Sequence, residues 1–203
     1  AEFVGKNYDI KMDCITISQK QFDYASKRIF QNGLNEKINI KLKDYRDVEA
    51  KYNSIASIEM IEAVGKNYLS SYFNTIKSNL SKDGKAAIQA ITIDDALFDR
   101  YKTKQDFIQK YIFPGGMLPS KEILQKIILR NGLLQTSING YGKDYSKTLR
   151  EWFVRFKNSW KSIKPLGFDD RFKRMWEYYL NYCETGFELG TLDLVQISLK
   201  NKK

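Results

Sequence analysis

No histidine occurs anywhere in the 203 residues. That excludes a histidine-based nucleophilic triad and histidine metal sites. Any proton transfer must fall to Glu, Asp, Tyr, Lys, Cys or a bound small base. Cysteine is nearly as scarce: Cys14 and Cys183 are the only two. Two thiols make neither a disulfide framework nor a structural zinc site, so no metal is expected and a reduced cytosolic setting is the default. No apolar run approaches the ~20 residues of a membrane span. No signal peptide is visible in the opening Ala1-Glu2-Phe3-Val4-Gly5-Lys6, and an initiator Met is missing, so the chain is expected to be trimmed or a piece of something longer. Repeats, low-complexity blocks and an interdomain linker are also lacking. The expectation is one domain over 1–203, long enough for a full core.

Negative charge is in short supply, and the formal net charge is +10. The wealth of Lys, Asn, Ile and Tyr fits an AT-rich genome as well as it fits a function. The functional alternative is attraction to nucleic acid or to lipid headgroups. Zinc-finger spacing and RNA-binding aromatic motifs do not occur, so no nucleic acid partner is expected.

What is present alternates strand and helix. Ala1 to Tyr8 reads as the end of a helix and Asp9 to Ile17 as a strand. Ser18 and Gln21 fit a capping box for a helix that Asn32-Gly33 stops. Ile38 to Leu42 and Ser54 to Ile58 are further strands. A helix is predicted over Leu69 to Leu80, a turn at Ser81 to Gly84, and a buried strand over Ala86 to Ile93. This order is the sign of a parallel sheet with crossover helices. The second half is different. Asp94 to Tyr111 is polar and helical, Phe113 to Ser120 a rigid turn, and Ile123 to Ile128 a helical stripe. Leu133 to Tyr141 reads as a strand. Trp152, Phe156 and Trp160, then Phe172, Met175, Trp176, Tyr179 and Cys183, recur at helical spacing. Most of them read as packing core. Asp193 to Leu199 closes the chain as a strand.

One stretch, Ser57-Ile58-Glu59-Met60-Ile61-Glu62-Ala63-Val64-Gly65, puts a carboxylate where a buried strand should end. Ligands of open α/β sheets sit outside the carboxyl ends of the strands. Glu62 there is either ligand-facing or an acid in the first turn of the next helix.

Six segments in order carry a resemblance over essentially the whole chain. They are Ile15 to Ser18, Asp44-Tyr45-Arg46-Asp47, Ser57 to Gly65, Tyr111-Ile112-Phe113-Pro114-Gly115-Gly116, Asp144-Tyr145-Ser146-Lys147-Thr148-Leu149 and Phe172 to Leu180. Together they resemble the cyclopropane-fatty-acyl-phospholipid synthases and their mycolic-acid relatives. The resemblance implies an α/β fold with the Rossmann-like sheet of class I S-adenosylmethionine-dependent methyltransferases, and a helical insertion, about 145–190, before the last strand. It implies S-adenosylmethionine as methyl donor, a bound bicarbonate as base, and the cis double bond of a membrane phospholipid acyl chain as substrate. The setting it implies is cytoplasmic, peripheral to the anionic inner membrane surface. The assembly is left open, a homodimer included.

By resemblance, Glu62, Tyr145 and Cys183 match positions that hold the bicarbonate, with Ile58 supplying a backbone group. Gln89 stands where several relatives have His; its amide can donate the same hydrogen bond but cannot relay a proton. On residue type alone, Cys183 would be a small buried hydrophobe and Tyr145 a strand-end surface residue. Thr16, Ile17 and Gln21 match the strand edge that meets the adenosine ribose. Tyr45 and Arg46 match the loop beside the adenine.

The largest departure from the family is at the front. Relatives carry a first strand and a Gly-rich turn upstream of the helix that Ala1 to Tyr8 would finish, and that strand sits in the middle of the sheet. Without it, a parallel sheet has unpaired backbone. The expectation is therefore little or no synthase activity from these 203 residues alone. The alternative function is that of a catalytically inactive remnant with a lipid-surface or protein-binding role.

Overall fold

The computed structural model describes residues 1–202, in two compact units, Ala1–Ala50 and Lys51–Lys203. The first unit opens with helix α1 (Glu2–Asn7), strand β1 (Met12–Thr16), helix α2 (Gln19–Gln31) and strand β2 (Ile38–Leu42). β1 and β2 pair in parallel, Met12 opposite Ile38 and Thr16 opposite Leu42. Ile29, Leu34 and Ile38 form the core, flanked by Met12, Cys14 and Ile40. Gly5 lets α1 approach closely, since a Cβ there would meet Ile38 Cδ1 at 2.6 Å.

The cap of α2 is half of the predicted box. Ser18 Oγ accepts from the Gln21 amide, but the Gln21 side chain does not return the bond. Its Oε1 accepts instead from Thr16 Oγ1 at 2.7 Å, and the Ser18 amide donates to the same Thr16 oxygen. A hydroxyl at the strand end thus replaces the reciprocal cap.

The second unit holds β3 (Tyr52–Ile58), α3 (Leu69–Asn79), β4 (Leu80–Ile93), α4 (Asp95–Tyr101), α5 (Phe107–Tyr111), α6 (Lys121–Arg130), β5 (Leu133–Gly140), α7 (Gly142–Ile163), α8 (Asp170–Glu188) and β6 (Leu192–Asn201). Its sheet runs β3-β4-β6-β5. β3 and β4 are parallel, and β6 is antiparallel to both its neighbours. Among the described residues β1 pairs only with β2 and β3 only with β4, which leaves each with one edge lacking a strand partner. So the strands form two sheets, where strand–helix alternation suggested one.

Three features differ from expectation. Leu80 opens β4 rather than ending α3. Ser81 to Gly84 is no turn; it bulges within β4, where Tyr52 faces Leu80 but Ser54 already faces Lys85. Gly84 permits this, because a Cβ there would lie 3.0 Å from the Asn53 carbonyl. The polar stretch after β4 is two short helices, α4 and α5, rather than one.

The core follows strand alternation. Ala86, Ile88 and Ala90 of β4 face Leu199, Ile197 and Val195 of β6, and all six are buried. Tyr72, Phe73 and Ile76 of α3 and Leu124 and Ile128 of α6 are buried too. A second cluster ties the inserted helices α7 and α8 to β6 through Leu149, Leu180, Phe187 and Leu194, with Phe153, Phe156 and Trp176 packed against it.

Candidate active site

Residues at the carboxyl ends of β3 and β4 line a cavity of about 1230 Å³, together with α4, α5, the Phe113 to Leu118 turn, and the inserted helices. The location is the one open α/β sheets use for ligands. Glu62, Tyr145 and Cys183 all line it, from three separate parts of the chain.

Glu62 sits in a single 3-10 turn, Ile61–Ala63. Fully buried Ile61 anchors that turn, and the Met117 amide donates to the Glu62 carbonyl at 2.8 Å. A turn this short has no macrodipole to complement, so the helix-acid reading gives way to another. Glu62 Oε1 reaches across to β4 and accepts from the Ile91 amide at 2.6 Å. Oε2 is buried without a partner. Burial pushes the Glu62 carboxyl above its ordinary range, and the nearby Glu59 charge adds to this; the Ile91 hydrogen bond opposes it.

Tyr145 lies in the first turn of α7, so it is a helix residue and not a strand end. Its ring packs edge-on against Phe187 at 4.9 Å and Trp152 at 6.0 Å. Burial raises its hydroxyl far above the usual phenol range, and the Glu59 charge is the next cause. Burial likewise pushes the Cys183 thiol up to about 12, helped by Asp106. Tyr179, which the sequence placed with the packing stripe, lines the same cavity and is raised to about 12 by burial, then by Cys183 and Glu59. Raised in this way, Tyr145, Tyr179 and Cys183 are uncharged at neutral pH and able to donate hydrogen bonds, and the thiol is no nucleophile.

Gln89 and Ile58 are placed differently. Neither is among the residues lining the cavity. Ile58, whose backbone the resemblance assigns to the bicarbonate, ends β3 with 69% of its surface exposed. Gln89 donates from Nε2 to Glu59 Oε1 at 2.8 Å and accepts at Oε1 from Gln196 Nε2 at 2.9 Å. A carboxylate accepts only, so Glu59 dictates which way the Gln89 amide turns. Glu59 does line the cavity, and it holds a left-handed backbone, φ 50°. Sequence reasoning passed over it because nothing in a Glu announces that conformation. Its proximity to Glu62 in Ser57 to Gly65 was the one available signal.

The residues assigned to a nucleotide lie in the first unit. Thr16 and Gln21 are bonded to each other, which leaves the Gln21 NH₂ as a donor. Ile17, just past β1, is 76% exposed. Tyr45 and Arg46 start a 3-10 turn that Asp44 caps. The Arg46 guanidinium binds Asp44 through two nitrogens and holds its carboxyl down at about 2. An amide donor, a bare aliphatic side chain and a phenol ring suit a ribose and an adenine; Arg46 has its charge already answered. Among the described residues no cluster of acids and thiols could hold a metal ion, and no helix is long and apolar enough to cross a membrane.

Known proteins place this chain. The profile of the mycolic acid cyclopropane synthetase family matches residues 2–197. The tuberculostearic acid methyltransferase UfaA1 of Mycobacterium tuberculosis is 40% identical over 186 residues, covering 91% of this chain and 44% of that protein. The cyclopropane-fatty-acyl-phospholipid synthase of Escherichia coli K12 is 34% identical over 198 residues, covering 97% of this chain and 49% of the synthase. The chain thus spans about half the length of these relatives. Among solved structures, the mycolic acid cyclopropane synthase CmaA1 complexed with SAH and CTAB superposes with a TM-score of 0.89 at 22% identity, covering 98% of this chain and 72% of that one. That likeness shows a shared fold, the class I S-adenosylmethionine-dependent methyltransferase sheet with helices inserted before its last strand. With the profile match across nearly all its residues, the chain belongs to the mycolic acid cyclopropane synthetase family.

Proposed function

We propose that this chain is the methyltransferase-fold part of an enzyme that converts the cis double bond of a phospholipid acyl chain into a cyclopropane ring. The observation that carries the reading is one cavity that joins Glu62, with its unpartnered buried oxygen, to the neutral donors Tyr145 and Cys183. When bound, S-adenosylmethionine supplies an activated methyl on a sulfonium, and bicarbonate supplies a base. Glu62, Tyr145 and Cys183 are the groups that would hold the bicarbonate. Tyr145 and Cys183, as neutral donors, suit a small oxyanion, and Glu62 adds a buried oxygen that has no partner within the chain. Thr16, Ile17, Gln21 and Tyr45 are the groups that would face the nucleoside.

An alkene is a weak nucleophile, so the carbon that accepts the methyl leaves positive charge on its neighbour. Aromatic faces stabilise such charge without capturing it. Tyr145, Tyr178, Tyr179, Tyr182 and Phe113 supply them from the cavity wall. Closing the ring removes a proton from the new methyl group. By the family resemblance that base is the bound bicarbonate, and the cavity's task is to grip it. The net charge of +10 favours peripheral attachment to an anionic inner membrane surface.

The test incubates the product of the full reading frame with methyl-labelled S-adenosylmethionine and vesicles of monounsaturated phosphatidylglycerol. Label should enter the acyl chains with the gain of one CH₂ and the loss of the double bond. Glu62→Gln and Tyr145→Phe should each slow this by about 100-fold, and bicarbonate-depleted buffer should slow it reversibly. Labelled lipid that keeps its double bond would instead assign a methyl-branching reaction. No labelled lipid from a protein that binds the methyl donor would sink the proposal.

A further inference from the structure

Beside the cavity lies a smaller recess of about 300 Å³. It shares Tyr101, Lys104 and Gln109, among others, with the cavity wall, so the two adjoin. Their chemistry is opposite. The cavity is lined largely by apolar and aromatic groups. The recess carries Lys66, Lys102 and Lys104 and has no Asp or Glu in its lining. Lys102 is occupied: it pairs with Asp99 and lies over the Phe98 ring. Among the described residues Lys66 and Lys104 have no ion pair or side-chain hydrogen bond, and neither does Arg100, which lines the cavity next to them. Gly65 and Gly115 in its lining border open space, since a Cβ at either would meet nothing within 4 Å.

Lys66 is near enough to act on the Asp99 charge, but forms no direct ion pair with it; an apolar chamber beside cations without direct ion pairs fits an amphiphile with an anionic head. We propose that the Lys66–Lys104 recess binds the phosphate diester of the substrate phospholipid, while the acyl chain enters the neighbouring cavity. The inference rests on the lipid reading above and adds to it the anchor for the headgroup. Two ammonium groups and a guanidinium suit a phosphate, whose oxygens point in several directions. Because the recess is open to water, the phosphate alone binds weakly; chain and head together give the affinity.

The test titrates the chain with three monomeric probes: dihexanoyl phosphatidylglycerol, dihexanoylglycerol, which lacks the phosphate, and inorganic phosphate. The phospholipid should bind about 10-fold tighter than the diacylglycerol. The paired reversal Lys66→Glu and Lys104→Glu should shrink that preference to within about 2-fold and leave diacylglycerol binding unchanged. Both side chains are exposed, so their reversal spares the core. A charge-matched control, Lys27→Glu with Lys82→Glu, should keep the full preference. Equal affinity of the unaltered chain for the two lipids, or a preference that survives the Lys66 and Lys104 reversal, overturns the headgroup site while the acyl cavity stands. A preference lost equally in the control overturns it too, as net charge would then be the cause. Inorganic phosphate that binds as tightly as the phospholipid assigns the recess to free phosphate and overturns it as well. Failure to bind either lipid removes the acyl cavity, and this inference with it.

Discussion

The two compact units differ most in how much they bury. The first, Ala1–Ala50, holds three buried apolar residues, Ile29, Leu34 and Ile38, while the second holds twenty-one. The second is only about three times as long, so its core is denser for its length. The first also exposes Phe3, Tyr8, Ile17, Tyr24 and Phe30. Two parallel strands and a pair of helices cannot cover that much apolar surface. The four-stranded sheet of the second unit, with α3 and α6 packed beside it and the inserted helices beyond, can. Stability and the cavity therefore belong to one unit, and the residues matched to the nucleotide belong to the other.

Separating the units is the sharpest way to break this comparison. Residues 51–203 alone should unfold in one cooperative transition on heating, whereas residues 1–50 alone should show none by far-UV circular dichroism. A cooperative transition in the short fragment would refute the account of its core. Single truncations should follow the same order. Leu180→Ala, in the second unit, should cost about 3–5 kcal/mol in urea unfolding; Ile38→Ala, in the first, about 2 kcal/mol, because fewer neighbours hold the cavity open.

Glu62 gives a test within the better-packed unit. Its folded-state pKa is raised, so the fold favours the protonated carboxyl. Its contribution is fully present below the ordinary carboxylate value of 4.5 and is lost as pH rises through the raised value. Urea midpoints should therefore fall over that window in the unaltered chain and flatten in Glu62→Gln. A steeper fall in the variant would show that the buried oxygen is not the cost it looks to be. Stability gained at neutral pH by a change expected to cripple catalysis would mark Glu62 as kept for function. The smallest effect belongs to Gln196→Leu, which frees the Gln89 amide. It should cost about 0.5–1 kcal/mol, since the groups are partly exposed. A double-mutant cycle with Gln89→Leu measures the coupling.

Much of the architecture was legible because it follows from short-range rules. Ser18, Ser120 and the Asn32-Gly33 and Asn131-Gly132 stops bound their helices where the sequence put them. Alternation located β1, β2 and β6 to within a few residues. The errors lie where distant neighbours decide. Ser81 to Gly84 has turn composition, yet pairing of β3 with β4 on both sides draws it into a strand as a bulge. Gln21 has the right spacing for a reciprocal cap, yet Thr16 takes its oxygen. In the site, Glu62 and Tyr145 were nameable from motifs, and Cys183 from the family resemblance. Glu59 and Ile91 were not, because one matters through a backbone angle and the other through an amide that any residue carries.

Composition by itself determined that these 203 residues contain no imidazole and only two thiols, and that they carry a net positive charge. Motif order determined the family. Only the tertiary structure decided that Glu62 keeps a buried oxygen without a partner, that Gln89 is turned toward Glu59 and not into the cavity, and that Lys66 and Lys104 flank one recess. Residue types are local facts. Desolvation, strand pairing and the gathering of distant side chains around one cavity, as with Glu62 and Cys183, exist only once the chain has folded.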